Sequence, residues 1–149
     1  AFSVGAILVA GTGDVIATGF SREEDRRDHA EEVALRRAAA GDGPAGAGPA
    51  GSGPAGDGPA GSGPAGLARA GLTLYSSLEP CVRRASRPVT CAELTLAAGI
   101  RRVAIAWREP PLFVPGGGAA WLSGRGVTVV EYPDLAAAAR AANRHLTGG

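Results

Sequence analysis

Val103-Ala-Ile-Ala-Trp107 and Val127-Thr-Val-Val-Glu131 are short apolar, β-branched runs with the length of buried strands. Residues 119–125 between them read as a short helix. A strand, a helix and a strand need a crossover connection, so the two strands are predicted to be parallel. Upstream, Thr90-Cys-Ala-Glu-Leu-Thr-Leu-Ala-Ala98 reads as a helix with Thr90 as its cap and Gly99 as its terminator. Leu72-Thr-Leu-Tyr-Ser76 is the strand before it. Val4-Gly-Ala-Ile-Leu-Val-Ala10 and Val15-Ile-Ala-Thr-Gly-Phe20 flank a Thr12-Gly-Asp14 turn and form a hairpin.

Residues 29–40 read as a helix with Asp28 as N-cap, Glu31 and Glu32 in the first turn, and Arg36 and Arg37 near the end. That order of charges suits the helix dipole. Residues 134–146 read as a closing helix with Leu135, Ala138, Ala139, Ala142 and Leu146 on one face. A hairpin followed by αβαβα predicts an α/β fold. It is a three-layer α/β/α sandwich around a mixed five-stranded sheet, with the fourth and fifth strands parallel.

Composition narrows the rest. The chain has 149 residues, one domain's worth, with 24 Gly and 11 Pro. The excess is local: residues 41–66 hold 11 Gly and 5 Pro, leaving 13 Gly and 6 Pro for the other 123 residues. Within that tract Gly-Pro-Ala-Gly recurs every five residues from Gly43. Collagen needs Gly at every third position, and this tract has no side chains for a core. It reads as a disordered insertion at 41–66 in a single domain spanning 1–149. All 15 basic residues are Arg, and the net charge is +1. That balance gives no electrostatic case for a nucleic-acid or membrane-surface partner. No apolar run reaches the roughly 18 residues of a transmembrane helix. No signal peptide opens the chain, so a cytoplasmic location is expected. The absence of Met suggests a processed chain, or a fragment lacking its first element.

The chain has two Cys and two His. His29 stands in His29-Ala30-Glu31, Cys81 ends Leu78-Glu79-Pro80-Cys81, and Cys91 opens a helix after nine intervening residues. A lone His at a helix start is ordinarily surface, and two intracellular Cys are ordinarily small buried hydrophobes or, in an oxidising compartment, a disulfide. Together, one His and two Cys suffice for a catalytic zinc site with an open fourth position. Cys91 is well placed there, because the dipole of its helix stabilises a thiolate. Zinc lowers the pKa of bound water to about 7. Glu31 is not on the helical face of His29. It is therefore placed as a proton shuttle rather than as a ligand. His-x-Glu before a strand and Pro-Cys after it form the zinc-deaminase signature.

These residues resemble the cytidine/deoxycytidylate deaminase superfamily, and most closely the pyrimidine deaminase of riboflavin biosynthesis. The similar segments are Val4-Gly-Ala-Ile-Leu-Val, His29-Ala-Glu-Glu-Val-Ala-Leu, Leu74-Tyr-Ser-Ser-Leu-Glu-Pro-Cys81, Arg87-Pro88 before Cys91, Ala97-Ala-Gly-Ile-Arg-Arg-Val103 and Gly124-Arg-Gly-Val-Thr-Val129. The chain departs from the group's Asp-Pro-Asn-Pro, with Glu109-Pro110-Pro111-Leu112 in its place, and from its Asn-Pro before the first strand, with Ala1 and Phe2 there. The resemblance implies a cytidine-deaminase-like fold and Zn²⁺ held by His29, Cys81 and Cys91. The implied reaction is hydrolytic deamination of an aminopyrimidine-type base, nucleoside or nucleotide, with release of ammonia. Glu31 takes the water proton and delivers it to the ring nitrogen and the leaving amine. The Ala30 amide holds a base oxygen, and the segment from Ser77 to Pro80 borders the leaving group.

Arg83, Arg84 and Arg87 lie between the cysteines and read either as a phosphate clamp or as a solvated basic loop. Substrate contacts are thus expected at Ala30, Ser77, Arg84 and Arg87. Trp107, Phe113 and Trp121 read as core aromatics or as stacking surfaces for a base. The expected partner is a small aminopyrimidine, with neither membrane nor nucleic acid, and a homo-oligomer is expected. The competing functions are a tRNA adenosine-type deaminase, against which the near-neutral charge stands, and a catalytically silent zinc module, for which Glu31 has no use.

The repeat tract yields the first prediction. Replacing residues 43–66 by a short Gly/Ser loop should leave zinc content and stability nearly unchanged. Loop-closure entropy changes by only about 0.6 kcal/mol per doubling of length. Urea denaturation and elemental analysis check this, and an insoluble or metal-free variant would show that the tract packs on the domain.

Overall fold

The computed structural model describes residues 2–41, 71–108 and 117–147. Five strands form one sheet: β1 (Gly5–Val9), β2 (Val15–Phe20), β3 (Thr73–Ser76), β4 (Arg102–Ile105) and β5 (Thr128–Glu131). Their spatial order is β2-β1-β3-β4-β5. β1 runs antiparallel to both β2 and β3, while β3, β4 and β5 are parallel. The expected mixed five-stranded sheet with helices around it, and with the fourth and fifth strands parallel, is the arrangement found. Four strands therefore point the same way, and only β1 is reversed. Their carboxyl ends share one edge, and loops that leave it can converge.

The core follows strand alternation. Leu8, Leu74 and Val103 lie in register across β1, β3 and β4, and all are fully buried. Ile7 and Tyr75 lie one residue along the same strands, on the opposite face, and both are exposed. α1 (Ala30–Ala40) packs on β1, β2 and β3 and buries Val33, Ala34 and Ala38 against them. α2 (Cys91–Ala97) packs against α1, and α3 (Gly118–Ser123) packs against α2 and β5. Two glycines permit these approaches. A Cβ on Gly19 would lie 2.4 Å from the Ala30 carbonyl oxygen, and one on Gly118 would lie 1.8 Å from the Pro80 carbonyl oxygen.

Two helix expectations need correction. The N-cap of α1 is His29 rather than Asp28. The Asp28 carboxylate is instead buried and binds Arg36, Arg87 and the Asp25 amide. The expected closing helix is broken into a 3-10 turn (Pro133–Leu135), α4 (Ala136–Ala141) and α5 (Arg144–Thr147). Its buried face is also rotated. Ala136, Ala139 and Asn143 are buried, whereas Leu135, Ala138 and Ala142 are exposed. Asn143 decides this: its Oδ1 accepts from the Ser3 amide at 2.6 Å, and its Nδ2 donates to the Ser3 and Ala139 carbonyls. The repeat tract lies outside the described residues except for Gly41, which ends α1 in the left-handed conformation. Among the described residues no helix is long and apolar enough to cross a membrane.

Gly19→Ala should cost about 2–3 kcal/mol, because its methyl group meets helix backbone rather than a movable side chain. Urea denaturation measures the loss, and wild-type stability would show that α1 is free to move away from β2.

Candidate active site

The site forms where the loops after β2 and β3 meet. The loop from Ser21 to Asp28 is tied down at Asp28 and delivers His29 to the first position before α1. The loop after β3 carries Cys81, and α2 starts at Cys91. Thr90 caps α2: its side chain accepts from the Glu93 amide, and Glu93 accepts from the Thr90 amide at 2.9 Å. This reciprocal cap fixes where the helix begins. The cap expected at Thr90 is the one present.

His29, Cys81 and Cys91 come together with their ligand atoms within 4.8 Å of one another. The His29 Nδ1 is 3.6 Å from the Cys81 sulfur and 3.3 Å from the Cys91 sulfur. Zinc–sulfur bonds of about 2.3 Å and zinc–nitrogen bonds of about 2.0–2.1 Å, at tetrahedral angles, separate such donors by roughly 3.6 Å. The donor set and its spacing fit the metal. Both cysteines are free thiols and buried, so the disulfide alternative is not realised. The Cys91 amide donates to the Cys81 sulfur at 3.4 Å, and the Ala92 amide donates to the Cys81 carbonyl at 3.0 Å. The start of α2 thus orients both sulfurs.

The electrostatics suit a cation. The Cys91 thiol, donating to the Cys81 sulfur, pulls Cys81 down to about 4 against the effect of burial, and His29 adds to the shift. The same contact, with burial and the nearby Glu31, pushes Cys91 well up. Burial disfavours a charged His29, but the Cys81 sulfur outweighs it and raises the imidazole. Binding a divalent cation displaces the protons these groups share.

Glu31 is 3% exposed and lies in the first turn of α1. Burial raises its carboxyl most, and the Cys81 sulfur adds to this. The Glu31 amide, His29 and the Ser76 hydroxyl oppose it. Ser76 donates to Glu31 Oε1 at 3.0 Å. Ser76 belongs to no motif that singles it out in the sequence. The signal was present, because alternation from buried Leu74 turns Ser76 toward α1. A cavity of about 450 Å³ opens above these groups and is lined by His29, Ala30, Glu31, Leu78, Glu79 and Cys81, with arginines at its mouth.

The remaining expected contacts are placed as follows. Ala30 lines the cavity. Ser77 does not reach it; its hydroxyl accepts from the Gly5 amide at 3.0 Å and joins β3 to β1. Arg84 reaches the cavity wall, but its head pairs with Glu32 at 3.1 Å. Arg87 lies outside the wall and pairs with Asp28 at 3.0 Å and Glu32 at 2.9 Å. Arg26 and Arg83 line the cavity with no carboxylate partner among the described residues. Trp107 packs edge-on against Phe2 at 5.7 Å, and Trp121 lies under Arg125, so neither faces the cavity. Phe113 lies outside the described residues.

Comparison with known proteins agrees with this geometry. The diaminohydroxyphosphoribosylamino-pyrimidine deaminase of Schizosaccharomyces pombe is 30% identical over 131 residues, 88% of this chain and 27% of its own length. The diaminohydroxyphosphoribosylaminopyrimidine deaminase/5-amino-6-(5-phosphoribosylamino)uracil reductase of Thermotoga maritima superposes with a TM-score of 0.65 at 27% identity. It is matched over 97% of this chain and 34% of its own. RibD of Acinetobacter baumannii gives a TM-score of 0.64 at 27% identity, with the same coverage. The chain therefore spans about a quarter to a third of the length of these three relatives. The model of the cytidine and deoxycytidylate deaminase zinc-binding region matches residues 1–107, which include His29, Glu31, Cys81 and Cys91, and the chain belongs to that family, with Zn²⁺ as its metal.

Proposed function

We propose that this domain hydrolytically deaminates an aminopyrimidine-type ring that carries an anionic group. The observation that carries the reading is Glu31. A buried carboxylate with a raised pKa sits beside a His/Cys/Cys set, at the base of a cavity large enough for a pyrimidine. A structural metal site has no use for such a group. The family membership and the three relatives named above support the same chemistry.

His29, Cys81 and Cys91 are the proposed ligands. Zinc bound there lowers the pKa of water to about 7, which supplies the nucleophile at neutral pH. Everything else is work for the protein. Ser76 holds Glu31 Oε1 and leaves Oε2 as the proton carrier. Glu31 accepts one proton of the attacking water and passes it to the ring nitrogen, then takes the proton of the hydroxyl newly added to the ring carbon and gives it to the departing amine. The carbon–nitrogen bond breaks, ammonia leaves, and a ring carbonyl remains. A carboxyl raised by burial favours this cycle, because its proton affinity moves toward neutral pH. Ala30 lines the cavity next to His29, and its amide is the proposed donor to a base oxygen.

The anionic group is read from the cavity mouth. Arg84 and Arg87 are committed to Glu32 and Asp28, so anion binding moves to Arg26 and Arg83. Both are exposed and line the cavity. A charge-assisted contact to phosphate needs a cation that no protein carboxylate has claimed.

Two measurements test the reading. Glu31→Gln should keep about one zinc per chain and lose roughly 10²–10⁴-fold in ammonia release, since an amide cannot carry the proton. Cys91→Ser should lose zinc. Turnover at the wild-type rate in Glu31→Gln would remove its catalytic role, and unchanged zinc in Cys91→Ser would remove the ligand assignment. For the substrate, kcat/KM is compared for aminopyrimidine nucleosides with and without phosphate. Arg26→Ala and Arg83→Ala should each lower the phosphorylated value by roughly ten- to a hundredfold and leave the unphosphorylated one nearly unchanged. Equal loss on both substrates would show that these arginines do not read phosphate.

A further inference from the structure

We propose that Arg84 is a positioning residue for the metal centre, its buried guanidinium bridging the Cys91 sulfur to Glu32 of α1. This rests on Cys91 being a ligand, as proposed above. The side chain of Arg84 is only 2% exposed, although it lies in a surface loop. Each face of its head is used. Nε donates to the Ser86 hydroxyl at 3.2 Å, and Nη2 donates to the Arg27 carbonyl at 2.6 Å. Nη1 donates to Glu32 at 3.1 Å and lies 4.0 Å from the Cys91 sulfur, within reach of a long hydrogen bond to sulfur.

The partners come from both halves of the site. Arg27 and Glu32 flank His29, and the His29 amide itself donates to Glu32 at 3.4 Å. Ser86 and Cys91 belong to the stretch that joins the two cysteines. One guanidinium therefore clasps the histidine side of the donor set to the cysteine side. A buried cation is expensive unless it is paired, and Glu32 supplies the pair. With the pair in place, the positive head faces a sulfur that must be a thiolate when metal is bound. Groups that hold a ligand from behind set its orientation and basicity. Arg87 provides the contrast. It pairs with the same Glu32 and with Asp28, and it has no contact with either sulfur.

The test compares Arg84→Met, Arg84→Lys and Arg87→Met with the wild-type chain. Zinc affinity is read by competition with a chromogenic chelator. The sulfur-to-metal charge-transfer band of the cobalt-substituted protein reads the thiolate directly. A hydrogen bond or nearby cation lowers the energy of the sulfur lone pairs, so losing it moves this band to longer wavelength. Arg84→Met is expected to weaken zinc binding roughly 10–100-fold and to shift the band to longer wavelength. Arg84→Lys keeps the charge but loses the fork. It should fall between the two and also decides the matter if the Met variant fails to fold. Arg87→Met should leave the band in place. A wild-type band and affinity in Arg84→Met, or a wild-type result in Arg84→Lys, overturns the proposal, as does an equal shift in Arg87→Met. None of these readouts needs a substrate, so the proposal can fail while the deaminase reading stands. Unchanged zinc in Cys91→Ser would instead remove its premise.

Discussion

The amide of Cys91 donates to the sulfur of Cys81, and this short contact joins two parts of the chain that carry the chemistry. It exists because α2 begins at Cys91, and α2 begins there because Thr90 and Glu93 cap each other's amides. Move that start by one residue and Cys91 turns about 100° around the helix axis, away from His29. The sheet imposes a matching condition on the other side. α1 follows β2, which runs in the same direction as β3. The positive ends of α1 and α2 therefore meet at the same sheet edge, beside the two sulfurs. Both dipoles favour negative charge on sulfur at that point, where the Cys81 thiol is already pulled down.

Charge balance explains the arginines around this junction. Asp28 and Glu32 stand on either side of His29, and both are held largely out of solvent. Left alone they would oppose the thiolates and the buried Glu31. Arg36, Arg84 and Arg87 neutralise them, while Arg84 also leans toward Cys91. The arginines divide by this criterion. Those that meet a buried acid build the site, whereas Arg26 and Arg83 meet no carboxylate among the described residues and line the cavity. A basic loop between two cysteines therefore contains both kinds, and residue type alone does not separate them.

This division marks the limit of what the sequence makes legible. His29, Glu31, Cys81 and Cys91 are readable because they carry rare chemistry at informative spacing. The sheet is readable because short β-branched runs alternate with helices. Arg84 and Arg87 are not readable in the same way: their partners Glu32 and Asp28 lie more than fifty residues away, and nothing local signals the pairing. The same reason applies to Asp28. As a local residue it looks like a cap, but distant arginines claim its carboxylate. The closing helix is obscured by composition. Six of its residues, Ala136 to Ala139, Ala141 and Ala142, are alanines with little contrast between faces, and the buried face is set by Asn143 holding Ser3.

The position of the low-complexity tract follows from the same topology. Its flanks are Gly41, at the carboxyl end of α1, and Gly71, just before β3. His29 stands at the opposite end of α1, and an 11-residue helix places about 16 Å between the two ends. Cys81 likewise follows the far end of β3. Both attachment points therefore lie at the sheet edge opposite the cavity. An insertion there changes the length of a connection without altering the start of α1, the start of α2, or the Cys91–Cys81 contact on which the donor set depends. The sequence can vary most where the chain turns away from its chemistry, and a period-five repeat without core-forming side chains occupies that place.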